Sequence, residues 1–293
     1  MSQPESGSSD QTHELPDGRS LAWCEYGVPD GAPVFYFHRI PGSRIDGRRT
    51  ADAVAAAGLR LIAPDRPGFG RSSFQAGKRS YAGWAADIES LAKMLGIDRF
   101  AILAYSAGGP YALAAGIALA ERVTHVAIVS GVAPSEMPDY RKAVGPTDRA
   151  MTLLARRAPW LGRVLMRRAL KQARQRPERF GKTADRDFPA PADQEIMDNG
   201  FRQVIPEFFL EAGRNGPAGM VEDFAVWARP SGLALGPINT PLHLWHGGDD
   251  GTVRVSHSRW IASQIPSAEL TVWPSVGHLH PPERWAEVYA TLS

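Results

Sequence analysis

The stretch that decides the fold is Phe100–Gly109, which reads FAILAYSAGG. An apolar run that ends at Tyr105 predicts a buried strand, and an alanine-rich segment that begins at Pro110 predicts a helix. Ser106 stands at the sharp turn between them, as in the pattern G-x-S-x-G, with Ala104 in place of the first glycine. The pattern predicts an exposed serine nucleophile, although a serine that caps an alanine-rich helix would look similar.

Predicted strands and helices alternate on both sides of this turn. The strands are Arg19–Gly27, Pro33–Phe37, Leu59–Ala63, Val123–Val129, Pro241–Trp245 and Glu269–Trp273, and the helices are Asp46–Ala57, Tyr81–Leu95, Val255–Ile265 and Pro282–Leu292. This alternation predicts an α/β fold, in which a mostly parallel sheet is flanked by helices.

The alternation is interrupted in the middle of the chain. Residues 134–235 show helical composition and little strand character, so we predict that they form a helical cap inserted into the α/β core. The core then comprises residues 11–133 and 236–293. Residues 1–10 are polar and rich in serine, and we expect a disordered tail there.

Composition and charge exclude several classes of protein. The 293 residues are 43% hydrophobic and carry a net charge of only +2, which is ordinary for a globular enzyme and predicts no nucleic-acid binding. The single cysteine, Cys24, cannot form an intramolecular disulfide. Because neither a secretory signal nor a long apolar run is visible, we expect a cytoplasmic protein without stable membrane association. The sequence does not indicate an oligomeric state.

Several further segments resemble the α/β-hydrolase superfamily, specifically its capped esterase, lipase and haloperoxidase-like members. In chain order, the five segments that carry this resemblance are Phe37–Gly42, Asp65–Ser72, the turn around Ser106, His246–Asp250 and Val276–His278. The resemblance implies a serine hydrolase of the esterase type, without a cofactor. It would form an acyl-serine intermediate from a medium-sized, partly apolar ester or related carbonyl substrate.

The resemblance also implies a catalytic triad in the chain order Ser…Asp…His. Asp250 fits the acid position of H-G-x-x-D-x-x-V, and the adjacent Asp249 is the alternative. His278 follows a glycine after the last predicted strand, and His280 is the alternative. Ser106 would attack the carbonyl carbon, His278 would accept the serine proton, and Asp250 would orient the imidazole. No spacing of histidines or cysteine predicts a metal site.

The resemblance places the oxyanion hole at the backbone N–H groups of Ala107 and Ile40. Arg39 departs from the family pattern, which has a glycine at that position, and two interpretations are open. Either the loop takes a conformation that any residue can adopt, with the guanidinium tied to a nearby carboxylate or carbonyl, or Arg39 binds an anionic group of the substrate.

Aromatic residues of the predicted cap are candidates for an apolar pocket wall. We expect Phe208, Phe209 and Tyr105, together with Arg39, to contact a small-molecule substrate. A basic stretch from Arg156 to Arg179 is typical of a solvated helix face, but it could also attract anionic substrates, a membrane surface or a partner.

Fold resemblance does not select one reaction. The alternatives are a C–C bond or lactone hydrolase and a catalytically silent binding protein on the same fold. Arg39 favours the silent protein, because a collapsed oxyanion loop would inactivate the site. The presence of Ser106, Asp250 and His278 favours an enzyme.

Overall fold

A computed structural model describes residues 10–75, 79–236 and 238–292 of the chain. Within them the chain forms one eight-stranded sheet. Its strands are β1 (Gln11–Glu14), β2 (Ser20–Gly27), β3 (Ala32–Phe37), β4 (Leu59–Pro64), β5 (Phe100–Tyr105), β6 (Val123–Val129), β7 (Leu242–Gly247) and β8 (Ala268–Trp273). The predicted strands are present, and β1 is an additional short strand that the sequence analysis did not predict.

The strand order is β1-β2-β4-β3-β5-β6-β7-β8. The pairs β1–β2 and β2–β4 are antiparallel, and every other neighbouring pair is parallel. The predicted α/β fold with a mostly parallel sheet is therefore confirmed. Because the carboxyl ends of β3, β5, β7 and β8 meet at one edge, the loops that follow these strands are brought together there.

Helices cover both faces of the sheet. In chain order they are α1 (Ala51–Ala56), α2 (Tyr81–Met94), α3 (Gly109–Ala118), α4 (Pro146–Arg157), α5 (Pro159–Gln175), α6 (Pro177–Ala184), α7 (Pro191–Ile196), α8 (Arg202–Ala212), α9 (Ala218–Trp227), α10 (Ser256–Gln264) and α11 (Pro282–Ala290). One apolar layer joins the sheet to α2, α3 and α10, and the other joins it to α1 and α11. Every residue of β5 is buried, as expected for a central strand covered on both faces.

Helices α4 to α9 lie between β6 and β7, where the sequence predicts a cap; we call residues 134–235 the helical insertion. A buried carboxylate, Asp223 of α9, fastens this insertion to the core. It forms ion pairs with Arg66 and Arg79 and accepts a hydrogen bond from the Tyr111 hydroxyl. All four groups are buried, so loss of the Asp223 carboxylate would leave two buried guanidinium groups without their counter-charge.

The basic stretch of the insertion lies at the surface. The arginine and lysine side chains from Arg156 to Arg179 are exposed, and none of the described carboxylates forms an ion pair with them. This exposure agrees with the interpretation as a solvated helix face. None of the helices in the described ranges is long and apolar enough to cross a membrane.

The predicted tail needs one correction. Residues 1–9 lie outside the described part of the chain, but Asp10 is ordered by ion pairs with Arg44 and Arg71. It also accepts a hydrogen bond from the Cys24 thiol. The predicted disorder therefore does not extend to Asp10, because this carboxylate has partners on the core that composition alone does not reveal.

Candidate active site

Ser106 lies in a tight turn directly after β5, with a φ of 55°. This left-handed conformation is rare for residues other than glycine and is maintained by the surrounding structure. A Cβ on Gly108 would lie 2.3 Å from the Phe37 carbonyl oxygen, and one on Gly109 would lie 2.9 Å from the Val132 carbonyl oxygen. The two glycines therefore let the turn pack directly against neighbouring backbone.

A chain of hydrogen bonds connects the three predicted triad residues. His278 Nε2 lies 3.1 Å from Ser106 Oγ, and His278 Nδ1 lies 2.7 Å from Asp250 Oδ2. The other carboxylate oxygen, Asp250 Oδ1, accepts the backbone N–H groups of Thr252 and Val253 at 2.9 and 2.8 Å. The carboxylate is thus fixed on one side by its own turn and faces the imidazole on the other.

Burial and pairing act in opposite directions on the pKa values of this pair. Burial opposes ionisation of Asp250, but the interactions with His278 and His246 together outweigh it, so the pKa of Asp250 is lowered. Burial also opposes the charged form of His278, but Asp250 outweighs this effect and raises the pKa of His278. An anionic Asp250 beside His278 stabilises an imidazolium, as a general base requires after it has accepted a proton.

The structure separates the triad residues from their alternatives. His280 Nε2 lies 3.0 Å from Ser130 Oγ rather than from the Ser106 hydroxyl, and burial lowers the pKa of His280 to about 3. The side chain of Asp249 is exposed and makes no hydrogen bond to a histidine among the described residues. His246 lies behind Asp250, where its Nε2 contacts the Val253 carbonyl oxygen at 2.8 Å.

The loop after β3 is held by Arg66, which comes from the stretch Asp65–Ser72. The Arg66 guanidinium donates hydrogen bonds to the carbonyl oxygens of His38 and Arg39, and the Arg66 backbone N–H donates to His38 Nε2. The same guanidinium pairs with Asp223 of the insertion. The sequence analysis did not connect this stretch with the loop after β3, which it holds in place.

Arg39 does not have a positive φ, so the missing glycine imposes no backbone strain. Its guanidinium donates a 2.7 Å hydrogen bond to the Pro41 carbonyl oxygen, and its Nε lies 3.5 Å from Asp46 Oδ2. This arrangement corresponds to the first interpretation, in which the guanidinium is tied within the loop. Arg39 nevertheless forms part of the cavity wall described next.

A cavity of about 320 Å³ opens onto Ser106 and His278. Its wall is mostly apolar and is built largely by the helical insertion, with Ile40 and Pro41 on the core side. The insertion contributes Met151, Leu165, Met166, Phe180, Phe188, Ile205, Phe209 and Phe224. Two carboxylates, Asp148 and Asp187, are the acidic residues of this wall within the described ranges.

Two of the predicted substrate contacts, Phe208 and Tyr105, do not lie on the wall of this cavity. Phe209 lies on the cavity wall, but the neighbouring Phe208 points elsewhere on α8, and its ring lies 5.5 Å from the Arg48 guanidinium carbon. Tyr105 lies behind His278, where its hydroxyl donates a 2.6 Å hydrogen bond to the His278 carbonyl oxygen. Successive helical residues point about 100° apart, which separates Phe208 from Phe209, and side chains alternate along β5, which turns Tyr105 away from the cavity.

The sequence analysis missed two residues that lie at this site. Asp193 of the insertion accepts the backbone N–H groups of His278 and Leu279, and Asp148 lines the cavity. Burial and the nearby Asp187 raise the pKa of Asp148 to about 7. Both residues are single acids in helical segments, so only their positions in the folded chain distinguish them from surface residues.

Among the described residues, no group of His, Cys, Asp and Glu could hold a metal ion.

Comparison with known proteins identifies the family. The family model for the alpha/beta hydrolase fold matches residues 32–283, which is most of the chain. The chain belongs to the α/β-hydrolase fold family. This membership confirms the resemblance that the five segments of the sequence indicated.

Individual relatives of this α/β-hydrolase differ in their names. A non-heme chloroperoxidase of Streptomyces lividans is 32% identical over 120 residues, which are 40% of this chain and 43% of that protein. A 2-hydroxymuconate semialdehyde hydrolase of Pseudomonas putida is 29% identical over 229 residues, 75% of this chain and 70% of that protein. The first match thus spans less than half of the relative.

One solved structure matches this protein over nearly the whole length of both chains. A thermophilic esterase from Thermogutta terrifontis aligns with 97% of this chain and 96% of its own, with a TM-score of 0.66 and 22% identity. At this level of identity the match supports the fold rather than the reaction.

Proposed function

We propose that this protein is a serine hydrolase of the esterase type, with Ser106, His278 and Asp250 as its catalytic triad. The observation that carries the proposal is the continuous hydrogen-bonded chain from Ser106 Oγ through His278 to Asp250, with distances of 3.1 and 2.7 Å. These lie within the range expected for a nucleophile, its base and an orienting carboxylate. At its serine end, this series of hydrogen bonds reaches a cavity that can admit a substrate.

The chemistry follows from the roles of these groups. Ser106 Oγ attacks the carbonyl carbon of the ester while His278 Nε2 accepts the hydroxyl proton. The imidazolium, stabilised by Asp250, then returns that proton to the departing alkoxide, and an acyl-serine remains. A water molecule, deprotonated by the same imidazole, attacks the acyl group, and the released Ser106 regains its proton.

Two backbone N–H groups, those of Ala107 and Ile40, are assigned to the oxyanion hole. Ile40 lies on the cavity wall beside Ser106, and within the described residues its N–H has no other hydrogen-bond acceptor. Arg66 holds the two carbonyl groups that precede Ile40, which keeps the loop in place without a glycine. Removal of one oxyanion donor typically costs about 3 kcal/mol of transition-state stabilisation.

The cavity supports a medium-sized, partly apolar substrate. A volume of about 320 Å³ lies at the lower end of the range for small-molecule sites, and the walls contributed by the insertion are mainly apolar. In this proposal the helical insertion is a cap that excludes water from the acyl-serine site. We also propose a cytoplasmic location, which rests on the sequence expectations alone.

The second candidate is hydrolysis of a C–C bond next to a carbonyl. The similarity to a 2-hydroxymuconate semialdehyde hydrolase covers three quarters of this chain and favours it. The same triad and oxyanion donors would serve either reaction, because both begin at a carbonyl carbon. A binding protein without catalysis would need neither the triad nor its spacing.

A fluorophosphonate probe tests the proposal directly. We expect covalent labelling at Ser106, located by mass spectrometry, and none in Ser106→Ala. The matched control is Ser130→Ala, since Ser130 is a buried serine that contacts His280 rather than His278. Absence of labelling under conditions that modify a known serine hydrolase would refute the serine-hydrolase proposal. Comparison of the turnover of p-nitrophenyl esters with the turnover of a vinylogous 1,5-diketone then distinguishes ester hydrolysis from C–C hydrolysis.

A further inference from the structure

Asp193 is a buried acid that the triad mechanism does not use. It lies in α7 of the helical insertion and is fully buried. Its Oδ2 accepts the His278 backbone N–H at 3.1 Å, and its Oδ1 accepts the Leu279 N–H at 2.7 Å. Within the described ranges, no lysine or arginine forms an ion pair with it. The carboxylate is therefore held by the backbone of the catalytic histidine itself.

The neighbouring glycine shows how closely the two segments approach. A Cβ on Gly277 would lie 2.3 Å from Asp193 Oδ1, and the three atoms nearest to that position all belong to the Asp193 carboxylate group. Gly277 does not have a positive φ, so its backbone could accommodate alanine. The glycine is thus required by the contact with Asp193 rather than by its own conformation.

Other contacts join the histidine loop to the insertion at the same place. Leu279 packs into an apolar cluster with Met197 and Phe201 of the insertion. The His278 imidazole lies between two aromatic rings, Tyr105 of β5 at 5.3 Å and Phe188 of the insertion at 6.2 Å, measured between centroids. One side of the imidazole environment therefore comes from the core and the other from the insertion.

We propose that Asp193 is a positioning residue for His278, which makes the placement of the catalytic base depend on the docked insertion. By accepting two consecutive N–H groups, the carboxylate fixes the backbone from which the imidazole projects toward Ser106. This inference rests on the proposed triad and adds to it a second acid, which acts on the main chain of the histidine rather than on its ring.

The charge of Asp193 also reaches the imidazole. Three carboxylates from different elements favour the imidazolium form: Asp250 after β7, Asp193 in α7 and Asp148 in α4. Burial raises the pKa of Asp193 itself, and the bonds from Leu279 and His278 partly offset this increase. Loss of the Asp193 charge should therefore lower the pKa of His278, whereas loss of a purely structural contact would not.

The first test compares Asp193→Asn with Glu195→Gln, an equal charge change at an exposed position of the same helix. For a p-nitrophenyl ester we expect kcat to fall about 10- to 100-fold in Asp193→Asn, since a small misplacement of the base costs this much. We expect KM to change less than about threefold. The acidic limb of the kcat/KM profile should move to lower pH, and Glu195→Gln should match wild type.

The second test is a double-mutant cycle. Gly277→Ala should reduce kcat strongly, because the new methyl group displaces the Asp193 carboxylate. In the background of Asp193→Ala the same substitution should have little further effect, since the atoms with which it clashes are gone. Additive losses in the double variant would mean that Gly277 and Asp193 act independently, and would overturn the proposal.

A third measurement does not depend on activity. Proton NMR of the His278 Cε1–H, assigned with His278→Gln, reports the imidazole titration in wild type and Asp193→Asn. The proposal predicts a lower His278 pKa in Asp193→Asn; an unchanged titration with only a lower Tm would show a merely structural role and overturn it. If wild type neither reacts with the fluorophosphonate nor hydrolyses esters, the proposed function fails, and this titration still decides the inference.

Discussion

The phenol ring of Tyr105 is stacked on the imidazole of His278. The ring centroids are 5.3 Å apart with an interplanar angle of 22°, and the Tyr105 hydroxyl donates a 2.6 Å hydrogen bond to the His278 carbonyl oxygen. The residue immediately before Ser106, the proposed nucleophile, thus supports the proposed base from behind. Tyr105 is buried, so this support is shielded from water.

Replacement of Tyr105 by phenylalanine should weaken this support without removing the ring. The His278 carbonyl oxygen would lose a buried hydrogen bond, which typically costs about 1–2 kcal/mol of the free energy of unfolding. Chemical denaturation measures this loss, and kcat should fall less than about tenfold. An unchanged free energy of unfolding would contradict the role assigned to the hydroxyl.

Substitution of Asp250 by asparagine should reduce kcat by about three to four orders of magnitude, because the amide no longer stabilises the imidazolium or selects its tautomer. KM should change little. The matched control is Asp249→Asn, the same change at the adjacent exposed residue, which we expect to retain activity within about twofold. Steady-state kinetics on a neutral ester decides this, and a larger effect of Asp249→Asn would reverse the assignment.

The pH dependence of kcat/KM follows from the raised pKa of His278. Only the neutral imidazole can accept the serine proton, so activity should fall as the pH drops through the His278 pKa. Although burial opposes the charged form, Asp250 raises this pKa above its ordinary value of 6.5. The acidic limb measured with a neutral ester should therefore have its midpoint above pH 6.5. A midpoint below this value would show that burial outweighs the ion pair.

Asp148→Asn should stabilise the protein at alkaline pH. Burial and Asp187 raise the pKa of Asp148 to about 7 from an ordinary value of 3.8, so between these values the folded state retains a proton that the unfolded chain has lost. This group therefore lowers stability as the pH rises through that window. Because Asp148 is only partly buried, we expect the free energy of unfolding of Asp148→Asn to exceed that of wild type by about 1 kcal/mol at pH 8.5, which corresponds to about 2–4 °C in Tm.

The gain from Asp148→Asn should shrink as the pH approaches 4, where the folded wild type carries the proton. Thermal unfolding at a series of pH values measures this trend, with Asp249→Asn as the control for the loss of an exposed charge. A stabilisation that is independent of pH would contradict the role of the titrating carboxyl group.

Gly108→Ala should damage both the turn and the oxyanion loop. Its methyl group would lie 2.3 Å from the Phe37 carbonyl oxygen and 3.0 Å from the carbonyl carbon, and this backbone cannot shift without moving the loop that carries Ile40. We expect kcat/KM to fall more than about tenfold and Tm to decrease. In Gly116→Ala, in the helix α3 that follows the turn, the nearest atom is a Val126 methyl at 3.1 Å, and activity should stay within about twofold. Equal effects of the two substitutions would contradict the backbone-contact argument.

The sequence by itself determined the parts of this protein that depend on local pattern. The apolar run before Ser106, the two glycines after it and the alternation of strands and helices were sufficient for the fold class, which the sheet topology confirms. Strand ends and short turns are encoded by neighbouring residues. The three triad candidates follow β5, β7 and β8 in the order that the family resemblance implies, and the structure brings them into hydrogen-bond contact.

Tertiary structure decided everything that depends on contacts between distant segments. The carboxylate of Asp193 and the N–H groups it accepts are about 85 residues apart, and the Arg66 guanidinium reaches Asp223 across 157 positions. It also decided which of two adjacent phenylalanines faces the cavity and that Tyr105 supports the histidine instead of the substrate. Local sequence carries no signal for such pairs, because their energies arise only when burial removes water and leaves each polar group dependent on one partner.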